Sequence, residues 1–244
     1  MSDITPGLWE LLLKGLWVTF QLTVYSAALG AAVALVIGLA RTHRLWIVRF
    51  LSGTYFEIFR GTSALVFMFL VFFALPIAFG WQLVPMWAAV LAMGLTYGAY
   101  GSEIVRGAVA AVAPAQREAG IALSFTPAQS MRKVVLPQAW PEMIPPLNNL
   151  LIELLKGTAL VSVLGVGDIS FGAQLVRNAT GQSAPVYTVI LVMYFVLAFV
   201  LTRGMRVLER QAKAGIGQAP PKRRKLSLRQ TKDLATSGGT GGAA

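Results

Sequence analysis

Two charged side chains lie inside an otherwise apolar stretch, and they are the residues of this chain best suited to chemistry. Glu153 and Lys156 stand three residues apart between Met143 and Gly165, so a helix places them on one face. A charge within a membrane is costly unless it is paired or hydrated, which makes both residues functional candidates. They can neutralise each other as a structural pair. Alternatively, they can line a solute path in which Lys156 attracts a carboxylate and Glu153 attracts an ammonium group.

Further polar residues extend the candidate path. Asn148 and Asn149 precede the charged pair by one to two helical turns and offer neutral donors and acceptors. Arg60 and Glu103 lie at the inner ends of two other apolar stretches, where snorkelling to the interface explains them as well as function does. The predicted path residues are Glu153, Lys156, Asn148, Asn149, Thr158, Glu103 and Arg60.

The composition indicates whether these residues lie in a membrane protein or in a soluble one. Hydrophobic residues make up 56% of the 244 and charged residues only 13%, with a mean hydropathy of +0.65. These values predict an integral membrane protein rather than a soluble domain. The net charge of +11 does not indicate nucleic acid, because +8 of it falls from Arg203 to the end, where no aromatic stacking platform accompanies it.

Several kinds of site are excluded by residue types that the chain lacks. It has no cysteine and one histidine, so disulfides, Cys/His zinc sites and Ser-His-Asp triads are not expected, and we predict neither catalytic nor metal-binding residues. No Gly-Lys dipeptide occurs, so the chain has no Walker A loop. If transport is driven by ATP, another polypeptide must bind the nucleotide and its Mg²⁺.

Apolar stretches predict an all-α fold with five membrane-spanning helices, because about 20 apolar residues cross the hydrocarbon. The predicted spans are residues 16–40, 58–77, 84–104, 143–165 and 186–203. They form one transmembrane domain at 15–210, between an external N-terminal segment at 1–14 and a basic, disordered tail at 211–244. Arginine and lysine concentrate after spans 1, 3 and 5, which predicts the N-terminus outside and the C-terminus in the cytoplasm.

A polar interruption between spans 3 and 4 therefore lies on the cytoplasmic side. The stretch "EAGIALSFTPAQSMRKVVLP", residues 118–137, predicts two short helices. Thr126 and Gln129 have the spacing of a capping box with Pro127 at the first helical position, and Pro137 is expected to end the second helix. Such a hairpin offers a knob to a soluble partner, although a simple connecting loop is the alternative.

The same stretch resembles the EAA motif of permease subunits of bacterial ATP-binding-cassette (ABC) importers. Glu118-Ala119-Gly120 stands at its start and Leu136-Pro137 at its end, with the spacing matched throughout. Gly120 replaces the usual alanine, and Ser124 replaces the usual glycine. The resemblance covers about residues 12–212 and is closest to the polar amino acid branch, as in "FEIFRGTSAL", "YGAYGSEIVRGAV" and "LLKGTALVSVLGV".

That resemblance implies a type I permease in a bacterial inner membrane, whose hairpin couples it to ATP hydrolysis. The coupling residues would be Glu118, Ala119, Gly120, Leu123, Ser124, Leu136 and Pro137. The implied partners are a dimer of cytoplasmic ATP-binding subunits, a second permease subunit, identical or homologous, and a soluble or lipid-anchored substrate-binding protein, besides the membrane lipids. Within the branch, the chain resembles most the permeases for ectoine and hydroxyectoine.

Two other functions are open from the sequence. A secondary transporter or channel could use the same charges in the membrane, but it needs no coupling hairpin, and five spans without an inverted repeat fit it poorly. A structural subunit would explain helix packing but not Glu153 and Lys156.

Overall fold

The computed structural model describes residues 6–80 and 84–215, and all regular structure in these ranges is helical. A π-helical turn at Leu70–Ala74 joins α3 to α4, another at Met131–Val135 joins α7 to α8, and a 3-10 segment at Thr158–Leu164 follows α8. The helices are α1 (Pro6–Ala40), α2 (Trp46–Gly61), α3 (Ala64–Phe69), α4 (Leu75–Phe79), α5 (Pro85–Ala111), α6 (Pro114–Ala122), α7 (Pro127–Ser130), α8 (Leu136–Gly157), α9 (Ile169–Thr180) and α10 (Ser183–Gly215).

Helices α1 and α5 form the centre of the fold because small residues let their backbones approach closely. A Cβ atom on Gly30 would lie 3.4 Å from the Gly94 carbonyl oxygen, and one on Gly98 would lie 2.7 Å from the Cβ of Val33. The small residues spaced by four on both helices therefore act in packing, as the sequence predicts.

The other helices pack around α1. One apolar cluster joins α1 to α9 and α10 around Leu12, Ile169 and Val186. Another joins α1 to α5 and α8 around Ala34, Val105 and Met143. Helix α8 thereby packs against α1 and α5 through its apolar side. The polar residues Asn149, Glu153 and Lys156 are exposed.

Within the described ranges, three helical stretches are long and apolar enough to cross a membrane: Gly7–Ala40, Pro127–Leu164 and Ser183–Ala214. A fourth is reached if the bent pair Trp46–Gly61 and Ala64–Phe79 counts as one span. Helix α5 is not among them; thirteen of its residues are buried, so it depends less on an apolar surface facing lipid. The five-span count and the orientation stay predictions.

The predicted span 2, residues 58–77, is bent near its start. Residues 58–61 end α2, and the chain turns by 102° before the next helix begins at Ala64. Thr62 and Ser63 have extended backbones there, which breaks the run of helical hydrogen bonds. The sequence around residues 61–64 contains no proline from which this corner could be predicted.

The other boundaries differ less. Helix α1 begins at Pro6 and so includes much of the predicted external segment 1–14. Helix α10 extends to Gly215, and the rest of the predicted basic tail, 216–244, lies outside the described residues.

Candidate functional site

The turn of the hairpin is a Schellman motif at the end of α6. The Phe125 N–H donates to the Gly120 carbonyl oxygen at 3.0 Å, and the Ser124 N–H donates to that of Ile121 at 2.8 Å. Ser124 has φ 55° and is the one residue other than glycine with positive φ in the described chain. The EAA motif usually has glycine here for that conformation, and this chain keeps the turn with serine.

Ser124→Gly is expected to stabilise the protein, because glycine adopts positive φ without the penalty that a Cβ atom carries, which is about 1 kcal/mol. In detergent, the melting temperature should rise by about 2–4 °C. Ser124→Ala is the matched control, since it removes the hydroxyl but keeps Cβ, and it should bring no gain. Equal melting temperatures for the two variants would contradict this account of the turn.

The predicted capping box is confirmed at the start of α7. The Gln129 N–H donates to Thr126 Oγ1 at 3.3 Å, and the Thr126 N–H donates to Gln129 Oε1 at 2.9 Å. Each helix of the hairpin thus has a defined boundary, which gives the hairpin a fixed shape.

The hairpin presents an apolar surface away from the rest of the chain. Ile121 is 72% exposed and Leu123 is 66% exposed, and Glu118, Ala119 and Ser124 are exposed beside them. The remaining predicted coupling residues differ: Gly120 is buried against Ser130, Leu136 is half-buried and Pro137 is exposed. On a hairpin that is predicted to lie on the cytoplasmic side, large exposed apolar side chains indicate a protein contact.

The prediction that Pro137 ends the second helix is wrong. The helix runs on from α7 through the π turn into α8 and reaches Gly157. The Leu136 N–H donates to the Met131 carbonyl oxygen, five residues back, and this wider turn relieves the clash of the Pro137 ring with the preceding turn. The second helix of the hairpin is therefore the first part of the same long helix that carries Glu153 and Lys156.

Glu153 and Lys156 are both exposed, as expected for two residues that share one face of α8. Among the ion pairs within residues 6–80 and 84–215, none joins these two side chains. Asn149 is exposed as well, and Asn148 is half-buried, with its Oδ1 lacking a hydrogen-bond partner in the described part of the chain. These four residues bring polar side chains to α8 that have no hydrogen bond or ion pair to other residues of the described ranges.

Thr158 does not share this exposed surface. It is completely buried, and its hydroxyl donates to the Leu155 carbonyl oxygen at 2.7 Å. Its place is at the start of the 3-10 segment, where it supports the end of α8.

Arg60 and Glu103 come together in a different place. Both line one cavity beside α2 and α5, and its lining includes no residue of α8. Glu103 forms an ion pair with Arg41, which directly follows α1, at 2.7 Å, and it accepts a hydrogen bond from Arg106 Nε at 3.0 Å. The structure thus divides the predicted path residues into a group on α8 and a group near the bend after α2.

The sequence did not predict two residues with defined structural roles, one beside the charged pair and one at the start of α9. Tyr97 of α5 donates from its hydroxyl to the Glu153 carbonyl oxygen at 3.1 Å, which fixes α8 to α5 beside the charged pair. Asp168 is completely buried and caps α9 by accepting from the Ser170 and Phe171 N–H groups at 3.1 and 3.0 Å. Its place before a helix-forming stretch was a capping signal that the sequence carried.

The described residues offer no cluster of metal ligands. In residues 6–80 and 84–215, no three His, Cys, Asp or Glu side chains come together as candidate metal ligands. A membrane domain with an exposed hairpin and unpaired charges on one long helix has the features of a transport subunit.

Comparisons with known proteins establish the family. Residues 20–214 match the family described as "Binding-protein-dependent transport system inner membrane component", and the chain belongs to it. A probable amino-acid ABC transporter permease of Sinorhizobium fredii is 47% identical over 80% of this chain and 84% of its own length. The glutamine transport system permease GlnP of Escherichia coli is 35% identical over 87% of this chain and 97% of its own. The resemblance to ABC permeases is confirmed, and such subunits are not themselves enzymes.

Solved structures agree with this assignment. A chain from a crystal structure of an amino acid ABC transporter with histidines is 32% identical, with a TM-score of 0.75 over 83% of this chain and 94% of that one. A chain of the methionine transporter MetNI, in an inward-facing conformation, has a TM-score of 0.73 at 22% identity, over 85% of this chain and 99% of that one. The second likeness concerns the fold alone.

Proposed function

We propose that this chain is the permease subunit of an ATP-driven importer for a polar amino acid or an amino-acid-derived zwitterion. The observation that carries the proposal is the exposed hairpin whose second helix continues into the α8 segment of Glu153 and Lys156. Relatives named for glutamine, cystine and arginine transport support the substrate class. Within that class, ectoine or hydroxyectoine is the substrate that the overall resemblance favours.

Lys156 would bind the carboxylate of such a solute and Glu153 its ammonium group. The two side chains form no ion pair with each other in the described residues, so each is available to an external partner. Asn148 and Asn149 would add neutral contacts, and the unsatisfied Oδ1 of Asn148 is an acceptor for the same ammonium group. Tyr97 would hold α8 in place from the α5 side.

The hairpin would transmit movement from two ATP-binding subunits, which hold ATP and Mg²⁺, to this site. From Ser130 to Lys156 the continuous helix spans roughly 40 Å at about 1.5 Å per residue. A displacement of the hairpin by closing ATPases therefore reaches Lys156 without passing through a loop. A second permease subunit, identical or homologous, and a binding protein that delivers solute from outside would complete the transporter.

The chain would lie in the bacterial cytoplasmic membrane as a multi-pass protein with its C-terminus inside. A reporter fused after Arg210 is expected to show cytoplasmic activity, because arginine and lysine concentrate at this end of α10. A reporter inserted near Gly80, where a left-handed residue ends α4, should report the outside. The opposite pattern would contradict the five-span orientation.

A secondary transporter or channel subunit is the second candidate, favoured only by the charges on α8. The test is to purify the chain with its ATP-binding subunit and binding protein and to measure ATP hydrolysis. An importer should hydrolyse ATP faster when the loaded binding protein is added. Copurification without such stimulation would reject the ATP-driven import function.

A further inference from the structure

A cavity of about 530 Å³ lies where α2 meets the inner ends of α1 and α5. Side chains from these three parts of the chain line it, and four of its seven residues are charged. On the α2 side the lining residues are Phe56, Glu57 and Arg60, and on the opposite side they are Arg41, Tyr100, Glu103 and Ile104.

The charged residues on the α1 and α5 side form one network around Glu103. Arg41 Nη1 lies 2.7 Å from Glu103 Oε2, and the Arg41 guanidinium lies 4.1 Å from the centre of the Phe56 ring. Glu103 also binds Arg106. Arg41 is only 13% exposed, so it serves to join the end of α1 to α2 and α5.

Arg60 is different because its own carboxylate partner is distant. Its Nη1 lies 3.9 Å from Glu57 Oε1, at the limit of an ion pair, and both side chains are about two-thirds exposed (63% and 66%). Two arginines and two glutamates line the cavity, and Arg106, which binds Glu103 from beside it, leaves one positive charge in excess. A ligand that complements the cavity therefore carries one anionic group, and Glu57 favours an ammonium group beside it.

A line of aromatic side chains leads from this cavity toward α8. The ring centres of Tyr100 and Tyr97 lie 6.1 Å apart on α5, and the Tyr97 hydroxyl reaches the Glu153 backbone. One surface of α5 thus connects the cavity with the charged pair on α8.

We infer that this cavity is a second solute site, in which Arg60 binds the carboxylate and Glu57 the ammonium group of a small zwitterion. The inference rests on the proposed function for its solute class and adds a site between Glu153 and the cytoplasm. A phospholipid headgroup with a phosphate and an ammonium group has the same chemistry. The tyrosine line toward Glu153 favours the transported solute.

The chain has no cysteine, so Ile104→Cys places a single thiol of this subunit on the cavity wall. We would label it in membrane vesicles holding the complete transporter, once with an anionic and once with a cationic methanethiosulfonate, and read the mass of this chain. Ala113→Cys, exposed before α6, is the matched control. The anion-to-cation rate ratio at position 104 should exceed that at 113 by about tenfold, the effect of one nearby charge in water. Arg60→Gln should remove the difference.

Protection by solutes tests the ligand itself, with L-glutamine, L-arginine and ectoine as probes. At least one should slow the labelling of the thiol at position 104 severalfold, and it should neither protect the thiol at position 113 nor act in the Arg60→Gln background. Equal rate ratios at the two positions, or no protection by any of the three, would overturn the inference. Labelling that is slow in phosphatidylethanolamine vesicles, fast in dodecyl maltoside and insensitive to all three solutes would assign the cavity to lipid and overturn it too.

Failure of this site and failure of the proposed function give different results. Thiol labelling needs no ATP hydrolysis, so it can succeed in a protein that is not ATP-driven. If the labelling pattern fails while the binding protein still stimulates ATP hydrolysis, the importer function stands and only the second site is lost.

Discussion

Ala119→Asp is expected to release the ATP-binding subunit from this chain while leaving the chain in the membrane. Ala119 is exposed on α6 beside Ile121 and Leu123, the apolar surface that would enter a groove of the ATPase. Burying an unpaired carboxylate in such a contact costs about 3 kcal/mol or more, which weakens the complex roughly a hundredfold. The measurements are retention of the ATPase on purification and solute uptake, and both should fall sharply.

Ala113→Asp is the matched control for this change. It adds the same carboxylate to the same hairpin, but at the residue that precedes α6, where an aspartate caps the helix favourably. The amount of chain in the membrane should be normal for both variants, because the hairpin is predicted to lie outside the lipid. If Ala119→Asp keeps both the ATPase and uptake, the hairpin is only a connecting loop and the coupling account is wrong.

Glu153→Gln and Lys156→Met are each expected to lower uptake by about 10-fold to 100-fold. Each change removes a charge-assisted contact to the solute, which is worth roughly 1.5–3 kcal/mol. Removing both charges should not restore uptake, because the two side chains do not form an ion pair with each other. Uptake of labelled solute into cells, corrected for the amount of chain in the membrane, is the measurement.

Glu142→Gln is the control on the same helix. Glu142 is exposed near the start of α8, away from the charged pair. Uptake should change less than about twofold, because an exposed charge outside the solute path contributes little. Recovery of transport in the double variant Glu153→Gln/Lys156→Met would instead show that the pair only neutralises itself.

The hairpin was the part of the fold that local sequence predicted best. Thr126, Pro127 and Gln129 define a helix start within four residues, and the capping box does not depend on distant contacts. The small residues of α1 and α5 were equally informative, since close packing requires them on both helices.

Other features depended on context that spacing does not carry. Pro137 usually stops a helix, but a π turn before it keeps the helix continuous. The 102° corner after α2 lies near the start of predicted span 2, where the sequence indicates no break. The grouping of Arg60 with Arg41 and Glu103 depends on that corner, so the sequence could place these residues near an interface but could not bring them to one cavity.

The central claim is that ATP hydrolysis by a partner drives solute through this chain, and transport in reconstituted vesicles tests it most directly. The chain, its ATP-binding subunit and its second permease subunit would be reconstituted with the ATPases facing outward, and the loaded binding protein would be enclosed. ATP added outside should move the enclosed solute out to the ATPase side, also when ionophores have abolished every ion gradient. Solute movement that continues without ATP and stops when the ion gradients are abolished would contradict the account.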